Sequence, residues 1–281
     1  MVFVNLLLIC LNLKSRMQID IFIQARMGST RMPGKVLEEI NGLPILVRTY
    51  NRIRRCDLAK NVAIIASTNK KDDQIENVCK KYSLPLFRGS EEDLLDRHYK
   101  AALFYGSEYV FKIPSDCPFS DVEIINKVLK MSDKFEYVSN YHPPTFPDGL
   151  DVEGAQFKIL QDAWKFAKKK HEREHTFPFI WDNPDKYKIG NLLNKKGNMF
   201  MTHRWTIDYP EDMKFIKEVY KEFNYRDYFG FEEILDLLKT KPEISKINSK
   251  YNGINWYRNE KDNLKTISST EYRTNLNEIK K

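Results

Sequence analysis

Cationic and small residues are concentrated in one short segment, residues 24–35, which follows an apolar run at residues 19–23. The apolar run indicates a buried strand, so the segment is predicted to be the loop that leaves this strand. Guanidinium, ammonium and backbone amide groups can neutralise phosphate oxygens while a phosphoryl bond breaks. The loop is therefore a candidate triphosphate site, and its candidate residues are Arg26, Gly28, Ser29, Arg31 and Lys35.

This loop differs from a Walker A motif. Five residues separate Gly28 from Gly34, where that motif has four, and Val36 follows Lys35 where a Ser or Thr would hold magnesium. The spacing by itself leaves a second interpretation open, which is a solvated surface loop.

Two aspartates further along the chain each follow a predicted strand. Asp116 comes just after the strand predicted at residues 109–113, and Asp208 comes just after the one predicted at residues 199–207. Carboxylate oxygens are ligands that Mg²⁺ prefers, and a metal held by them could bridge phosphates bound by a cationic loop. Local alternatives are an Asx turn for Asp116 and a helix-capping role for Asp208.

A second pair of carboxylates, Asp151 and Glu153, alternates along the strand predicted at residues 150–156. Side chains two residues apart in a strand face the same side, where these two could accept hydrogen bonds from sugar hydroxyls. The alternative is a solvent-facing strand edge.

The segment HEREH at residues 171–175 matches the H-E-x-x-H pattern of zinc proteases. His171 and His175 could bind zinc with Glu172 as the base, but zinc needs a third ligand, and no HxxGxxH extension follows. A charged helix face and binding of an anionic substrate by Arg173 and His175 are the other interpretations.

Strands alternating with helices surround these segments, which predicts an α/β sheet of mainly parallel strands covered on both faces. In such sheets ligands bind at the carboxyl ends of the strands. The predicted strands are residues 19–23, 62–66, 109–113, 136–139, 150–156 and 199–207. The predicted helices are residues 45–55, 72–82, 91–105, 122–131, 158–170, 210–223 and 232–240.

The net charge of +7 over 281 residues comes mostly from the two ends of the chain. Residues 1–16 contribute +2 and residues 241–281 contribute +4, which leaves +1 for residues 17–240. A nearly neutral body argues against nucleic-acid binding. The cysteines at positions 10, 56, 79 and 117 form no CxxC pair, so a reducing cytoplasm is expected rather than a disulfide framework or a zinc ribbon.

The composition of the two ends of the chain differs from that of its middle, which suggests a division of the chain into three segments. Residues 1–13 are apolar but too few to span a bilayer, so no membrane span is expected. Met17 is the expected start, and residues 1–16 are predicted to be a non-native or disordered extension. Residues 17–240 are predicted to form the functional domain, and residues 241–281, which are polar and rich in Asn and Lys, a surface tail.

Over residues 19–240 the chain resembles the cytidylyltransferases grouped with spore coat polysaccharide biosynthesis proteins (SpsF-like), relatives of the CMP-sialate and CMP-Kdo synthetases. The most specific motif is QARMGSTRMPGKVL at residues 24–37. Further matches, in the same order along the chain, are RG at 88–89, DLLDR at 93–97, SDCP at 115–118, GLDVE at 149–153, REH at 173–175 and TIDYPED at 206–212. Ser115 is a mild departure, since Thr-Gly or an equivalent is expected before the aspartate.

The resemblance implies a Rossmann-like nucleotide-diphospho-sugar transferase fold, a mixed, mostly parallel sheet with an irregular extension that forms a homodimer. It implies that Arg26, Ser29, Arg31 and Lys35 contact the triphosphate of CTP, that Asp116 and Asp208 hold Mg²⁺, and that Ser67 and Arg97 lie near the nucleoside. The implied reaction transfers CMP from CTP to an acidic sugar or related polyol, releasing pyrophosphate, for surface polysaccharide biosynthesis. The alternatives are a non-catalytic polysaccharide-assembly protein of this fold and a zinc hydrolase that uses HEREH.

Overall fold

The structure, a computed structural model, describes residues 17–273. The prediction for residues 1–16 therefore lies outside the described residues. A seven-stranded sheet and a two-stranded hairpin make up the strands of the described part. In chain order the strands are β1 (Ile19–Gln24), β2 (Glu39–Ile40), β3 (Leu43–Pro44), β4 (Asn61–Ser67), β5 (Leu86–Gly89), β6 (Tyr109–Pro114), β7 (Tyr137–Ser139), β8 (Glu153–Gln156) and β9 (Ile189–Asn191).

The main sheet has the strand order β5-β4-β1-β6-β8-β7-β9. Strand β1 lies inside the sheet and pairs in parallel with β4 and β6, and Ile21 lies opposite Val62 on one side and Phe111 on the other. Strand β8 pairs antiparallel with both β6 and β7. The prediction of a mixed, mostly parallel sheet is thereby confirmed, and the carboxyl ends of β1, β4 and β6 meet at one edge.

Helices connect the strands, and the predicted helices are present with boundaries shifted by a few residues. In chain order the α-helices are α1 (Ile45–Ile53), α2 (Asp73–Lys81), α3 (Leu94–Tyr105), α4 (Val122–Lys130), α5 (Phe157–Phe166), α6 (Lys170–His175), α7 (Pro178–Trp181), α8 (Pro210–Glu222), α9 (Phe231–Thr240) and α10 (Pro242–Lys246). Across residues 17–273, no helix has both the length and the apolar character that a membrane crossing requires.

Apolar side chains that alternate along the strands bury themselves on opposite faces of the sheet. In β1, Ile21 and Ile23 belong to the core on the side of α1, α2 and α4, whereas Phe22 belongs to the core on the side of α3 and α5. Because consecutive strand residues point to opposite faces, the continuous apolar run of β1 covers both. The expected burial of the sheet by helices on both faces is confirmed.

Part of the segment predicted as a polar surface tail is packed into the molecule. Ile244, Ile254, Tyr257 and Leu264 are all buried, and the Tyr257 hydroxyl donates a hydrogen bond of 3.0 Å to the Tyr141 carbonyl. The segment is polar on average, but Tyr257 and Leu264 join the core on the side of α3 and α5, and Ile244 joins a third core cluster. These side chains anchor the segment to the molecule, whereas most of its other described residues are exposed or half-buried. The division of the chain into a functional domain and a surface tail stays a prediction.

The strand predicted at residues 199–207 is absent from the structure. Residues 199–203 form a turn, in which the His203 amide donates to the Met199 carbonyl at 2.8 Å, and only an isolated parallel bridge joins Arg204 to Asp148. Strand β8 likewise begins at Glu153, so Asp151 lies before it rather than within it.

Candidate active site

The loop after β1 is folded back on itself by its own backbone. The amides of Ser29 and Gly34 both donate to the Met27 carbonyl, at 3.0 and 3.1 Å. Gly34 has φ 73°, a left-handed conformation that glycine adopts at no steric cost, and it begins the short 3-10 turn that carries Lys35. The local sequence therefore turns Lys35 inward, and its side chain is buried.

The two predicted metal ligands, Asp116 and Asp208, converge on one cation. The Lys35 Nζ lies 2.6 Å from Asp116 Oδ2 and 3.0 Å from Asp208 Oδ1, and it also donates to the Ile207 carbonyl. Residues about ninety positions apart thus meet at the carboxyl end of β6, facing the loop after β1. The predicted convergence is confirmed; the role of the two aspartates as metal ligands stays a prediction.

Backbone hydrogen bonds place Asp208 without help from a strand. The Ile207 amide donates to the Asp116 carbonyl at 3.1 Å, and the Trp205 amide donates to the Asp148 carbonyl at 2.6 Å. Helix α8 then begins at Pro210, where proline lacks the amide hydrogen that would have no partner. The segment before α8 is thereby tied directly to the turn that carries Asp116.

Arg204 links the carboxylates behind the site. Its Nε and Nη2 donate to the two oxygens of Asp212 at 2.9 and 3.0 Å, its Nη2 also donates to Asp208 Oδ2 at 3.0 Å, and its Nη1 donates to Asp148 at 3.2 Å. Asp212 additionally accepts from the amides of Asp208 and Tyr209. This buried network holds Asp208 in its orientation toward Lys35.

The charges of this cluster stabilise one another. Burial would lower the pKa of Lys35, but attraction to Asp116 and then to Asp208 outweighs burial and keeps the pKa above its ordinary value. Burial would likewise raise the pKa of Asp208, but Lys35, Arg204 and Arg31 hold it well below the usual range. Burial raises the pKa of Asp148 to about 7 despite the nearby Arg204.

Arg31 also contacts Asp208, but from the solvent side. Its Nη2 lies 2.8 Å from Asp208 Oδ1, and 41% of its side chain is exposed. Ser29, by contrast, uses its hydroxyl within the loop, where it accepts a hydrogen bond of 3.3 Å from the Met32 amide. Arg26 is exposed, and Gly28 has open space around the position that a Cβ would occupy.

Ser67 and Arg97 lie beside the same loop. Ser67 at the end of β4 donates its hydroxyl to Asp72 at 2.5 Å, and Asp72 also accepts from the Met27 amide at 2.7 Å. Burial lowers the pKa of Arg97 to about 10, Asp72 opposes this shift, and the positive charge of Arg26 reinforces it. Through these two hydrogen bonds Asp72 connects the loop after β1 to the end of β4, next to Arg97.

The carboxylates predicted to bind sugar hydroxyls differ in their surroundings. Glu153 is buried, forms an ion pair of 2.7 Å with Lys112 and accepts from the Tyr137 hydroxyl at 2.8 Å. The charged neighbours of Asp151 are acids, namely Asp148, Glu153 and Asp116; burial and these neighbours raise its pKa. Of the two, only Asp151 is left without a cation partner among the described residues.

The HEREH segment has structural partners for most of its groups. Glu172 accepts from the Lys169 amide at 2.9 Å and so caps α6. Arg173 donates to Asp93 at the start of α3. The His175 ring stacks on Trp256 with 3.7 Å between the ring centroids.

These contacts do not support a zinc site in the HEREH segment. No group of three or more His, Cys, Asp or Glu side chains in residues 17–273 could hold a metal ion. The same pairings leave Arg173 bound to a carboxylate, so the role of Arg173 and His175 in binding an anionic substrate stays a prediction.

Sequence reasoning assigned no role of their own to four charged residues that organise the site: Arg204, Asp212, Asp72 and Lys112. Arg204 and Asp212 flank Asp208 at i−4 and i+4, which is the only local signal that could have drawn attention to them. Lys112 carries no comparable signal, because its partner Glu153 lies in a distant part of the chain. Asp72 bonds to the nearby Ser67, but the Met27 amide that it also holds is 45 positions away.

Two solved structures illustrate which proteins share this fold. A cytidylyltransferase from Leptospira borgpetersenii is 29% identical with a TM-score of 0.77, covering 81% of this chain and 96% of the other. A CMP-2-keto-3-deoxy-manno-octonic acid synthetase complexed with CTP shares the fold, with a TM-score of 0.58, 14% identity and coverage of 73% and 99%. The fold is therefore that of the nucleotide-diphospho-sugar transferases.

Sequence comparisons agree with this class. An uncharacterized protein of Methanocaldococcus jannaschii is 34% identical over 83% of this chain and 95% of its own length. The spore coat polysaccharide biosynthesis protein SpsF of Bacillus subtilis is 30% identical over 79% and 95%. The family model described as cytidylyltransferase matches residues 21–247. The chain belongs to the cytidylyltransferase family, and it is a CTP-dependent cytidylyltransferase.

Proposed function

We propose that this protein transfers CMP from CTP to a sugar acceptor through an in-line displacement at the α-phosphorus. An oxygen of the acceptor forms the new bond to phosphorus while the bond to the pyrophosphate leaving group breaks. The observation that carries the proposal is the convergence of Lys35, Asp116 and Asp208 at the mouth of the loop after β1. Arg26, Arg31 and Lys35 are assigned to the triphosphate, whose negative charge they would neutralise.

The donor set of the site fits a magnesium ion. Two carboxylates that share one cation already bring their oxygens together, and Mg²⁺ is commonly held by one or two carboxylates plus substrate phosphates. Asp116 and Asp208 would hold the ion, which would neutralise charge on the phosphates when bound. The network around Arg204 would keep Asp208 oriented for this role.

We propose an acidic sugar or a related polyol as the acceptor, in surface polysaccharide biosynthesis. Two relatives support this by their names: SpsF, and the 3-deoxy-manno-octulosonate cytidylyltransferase of Nitratiruptor sp., 29% identical over 41% of this chain and 47% of its own length. Asp151, a carboxylate with acidic neighbours, is assigned to accept a hydrogen bond from an acceptor hydroxyl. The homodimer stays a prediction.

The test measures pyrophosphate release from CTP and Mg²⁺ with a panel of acidic sugars and polyols, with products identified by mass spectrometry. Asp116→Asn and Asp208→Asn are each expected to lower turnover by about a hundredfold or more, because each removes charge stabilisation that acts on the transition state. Asp185→Asn, which alters an exposed carboxylate, is the matched control and should retain wild-type turnover. Near-normal turnover of both site variants would refute the assignment.

A further inference from the structure

Lys35 occupies the position where the two proposed metal ligands meet. Its ammonium group lies 2.6 Å from Asp116 and 3.0 Å from Asp208, and a third bond, to the Ile207 carbonyl, completes its three donors. The residue is only 7% exposed. This arrangement pairs the ammonium group with both carboxylates at once.

The oxygens of Asp208 are both in use. Its Oδ1 forms ion pairs with Lys35 and Arg31, and its Oδ2 forms one with Arg204. A carboxylate oxygen that contacts two cations has little remaining charge to offer a third. A magnesium ion contacts carboxylate oxygens at about 2.0–2.1 Å, so an ion placed between Asp116 Oδ2 and Asp208 Oδ1 would have to take the place of the Lys35 ammonium group.

The three cations around Asp208 differ in how easily they can leave. Arg204 is almost fully buried and is also bonded to Asp148 and Asp212, so it is fixed. Arg31 lies on the solvent side, with 41% of its side chain exposed, and needs only to rotate into solvent. Lys35 has no acidic partner other than Asp116 and Asp208 within the described residues, so a new anion must compensate it when it leaves.

A triphosphate is such an anion, because it carries several negative charges and would lie against the same loop. We propose that Lys35 is an internal counter-ion that blocks the metal site until the nucleotide draws it away, so that CTP binds before or together with the divalent ion. The inference rests on the proposed function, since it assumes that this loop binds CTP. It gives Lys35 a second role, which is to set the order of binding.

The experiment measures Mn²⁺ binding to the full chain by electron paramagnetic resonance, with and without a non-hydrolysable α,β-methylene analogue of CTP. Wild-type protein is expected to bind Mn²⁺ at least about tenfold more tightly with the analogue present, since the phosphates remove the competing cation. Lys35→Met is expected to bind Mn²⁺ without nucleotide at least about tenfold more tightly than wild type, because its carboxylates have lost the internal cation.

Two control variants test whether the change in Mn²⁺ affinity comes from the positive charge at position 35 and from the site that contains Asp208. Lys35→Arg retains a cation and should bind Mn²⁺ as weakly as wild type without nucleotide. Adding Asp208→Asn to Lys35→Met should abolish the gained site. If Lys35→Met does not fold, judged by circular dichroism, Lys35→Gln replaces it, with the same expected gain.

The proposed function and this inference can fail separately. Absence of pyrophosphate release from CTP would refute the proposed function. Pyrophosphate release together with equal Mn²⁺ affinity of wild type and Lys35→Met in the absence of nucleotide would overturn only the counter-ion role. Tight Mn²⁺ binding by wild type alone, unchanged by the CTP analogue, would overturn it as well.

Discussion

Replacing Arg204 by methionine should destabilise the protein far more than replacing Arg31 in the same way, although both arginines contact Asp208. Only 1% of the Arg204 side chain is exposed, and its partners Asp148 and Asp212 are 9% and 0% exposed. Removing one member of a buried ion pair leaves an uncompensated charge and typically costs about 3–5 kcal/mol. We expect Arg204→Met to lower the free energy of unfolding by about that amount.

The two buried partners of Arg204 should contribute unequally to the loss of free energy of unfolding in Arg204→Met. The pKa of Asp148 is already about 7, so Asp148 can take up a proton near neutral pH once Arg204 is absent. Asp212 loses two hydrogen bonds from Arg204 and keeps those from the Asp208 and Tyr209 amides and from Asn248. Most of the loss should therefore come from Asp212, which stays charged and buried.

Arg31→Met is the matched control, because the Arg31 side chain is 41% exposed. Exposed ion pairs contribute about 0–1 kcal/mol, so this variant should unfold close to wild type. Urea denaturation at neutral pH measures the free energy of unfolding of both variants. An equal slope of this free energy against urea concentration shows that the folded states are comparable. Equal losses for Arg204→Met and Arg31→Met would contradict the view that the Arg204 network is a buried support of the site.

Three further outcomes can be measured on single variants. Gly149→Ala should lower the free energy of unfolding by about 2 kcal/mol or more, seen in urea denaturation, because Gly149 has φ 112° and an added Cβ would lie 2.6 Å from the Trp205 carbonyl carbon. Burial lowers the pKa of His98 to about 3, whereas the unfolded chain has a histidine pKa of about 6.5. Between these two values the unfolded chain binds more protons than the folded one, so the free energy of unfolding falls as the pH falls. Between about pH 7 and pH 5, wild type should therefore lose about 2 kcal/mol more than His98→Phe. Glu172→Ala should lower the free energy of unfolding by about 1 kcal/mol because it removes the side-chain cap of α6, and it should leave pyrophosphate release unchanged, whereas loss of a stoichiometric zinc ion would contradict the structural role.

Much of the site was predictable because its parts are local in the chain. The loop after β1 combines its cations, its small residues and Gly34 within twelve residues, so this one segment of sequence indicates both a tight turn and a positively charged site. The position of Asp116 followed from a strand that was correctly predicted. Asp208 was predicted for the right place through a strand that does not exist, and backbone bonds to Asp116 and Asp148 hold it there instead.

The pairing of charges was not predictable from spacing. Glu153 was expected to be available for a sugar, and Arg173 for an anion, but Lys112 and Asp93 neutralise them across long stretches of chain. Which cation meets which carboxylate depends on the relative positions of helices and strands, and an error of a few ångströms changes the partner, because Coulomb attraction falls off with distance and exposure.

The sequence by itself determined most of the helices, the strands at residues 19–23, 62–66 and 109–113, the composition of the loop after β1 and the two aspartates that face it, because periodicity, turn residues and strand ends are local properties. Only the tertiary structure decided that Lys35 stands between those aspartates, that Arg204 contacts Asp208 from the buried side, and that Ile244, Ile254, Tyr257 and Leu264 are buried. These features arise from side chains distant in the chain that share one buried volume, where the need to neutralise charge and fill space selects the partners.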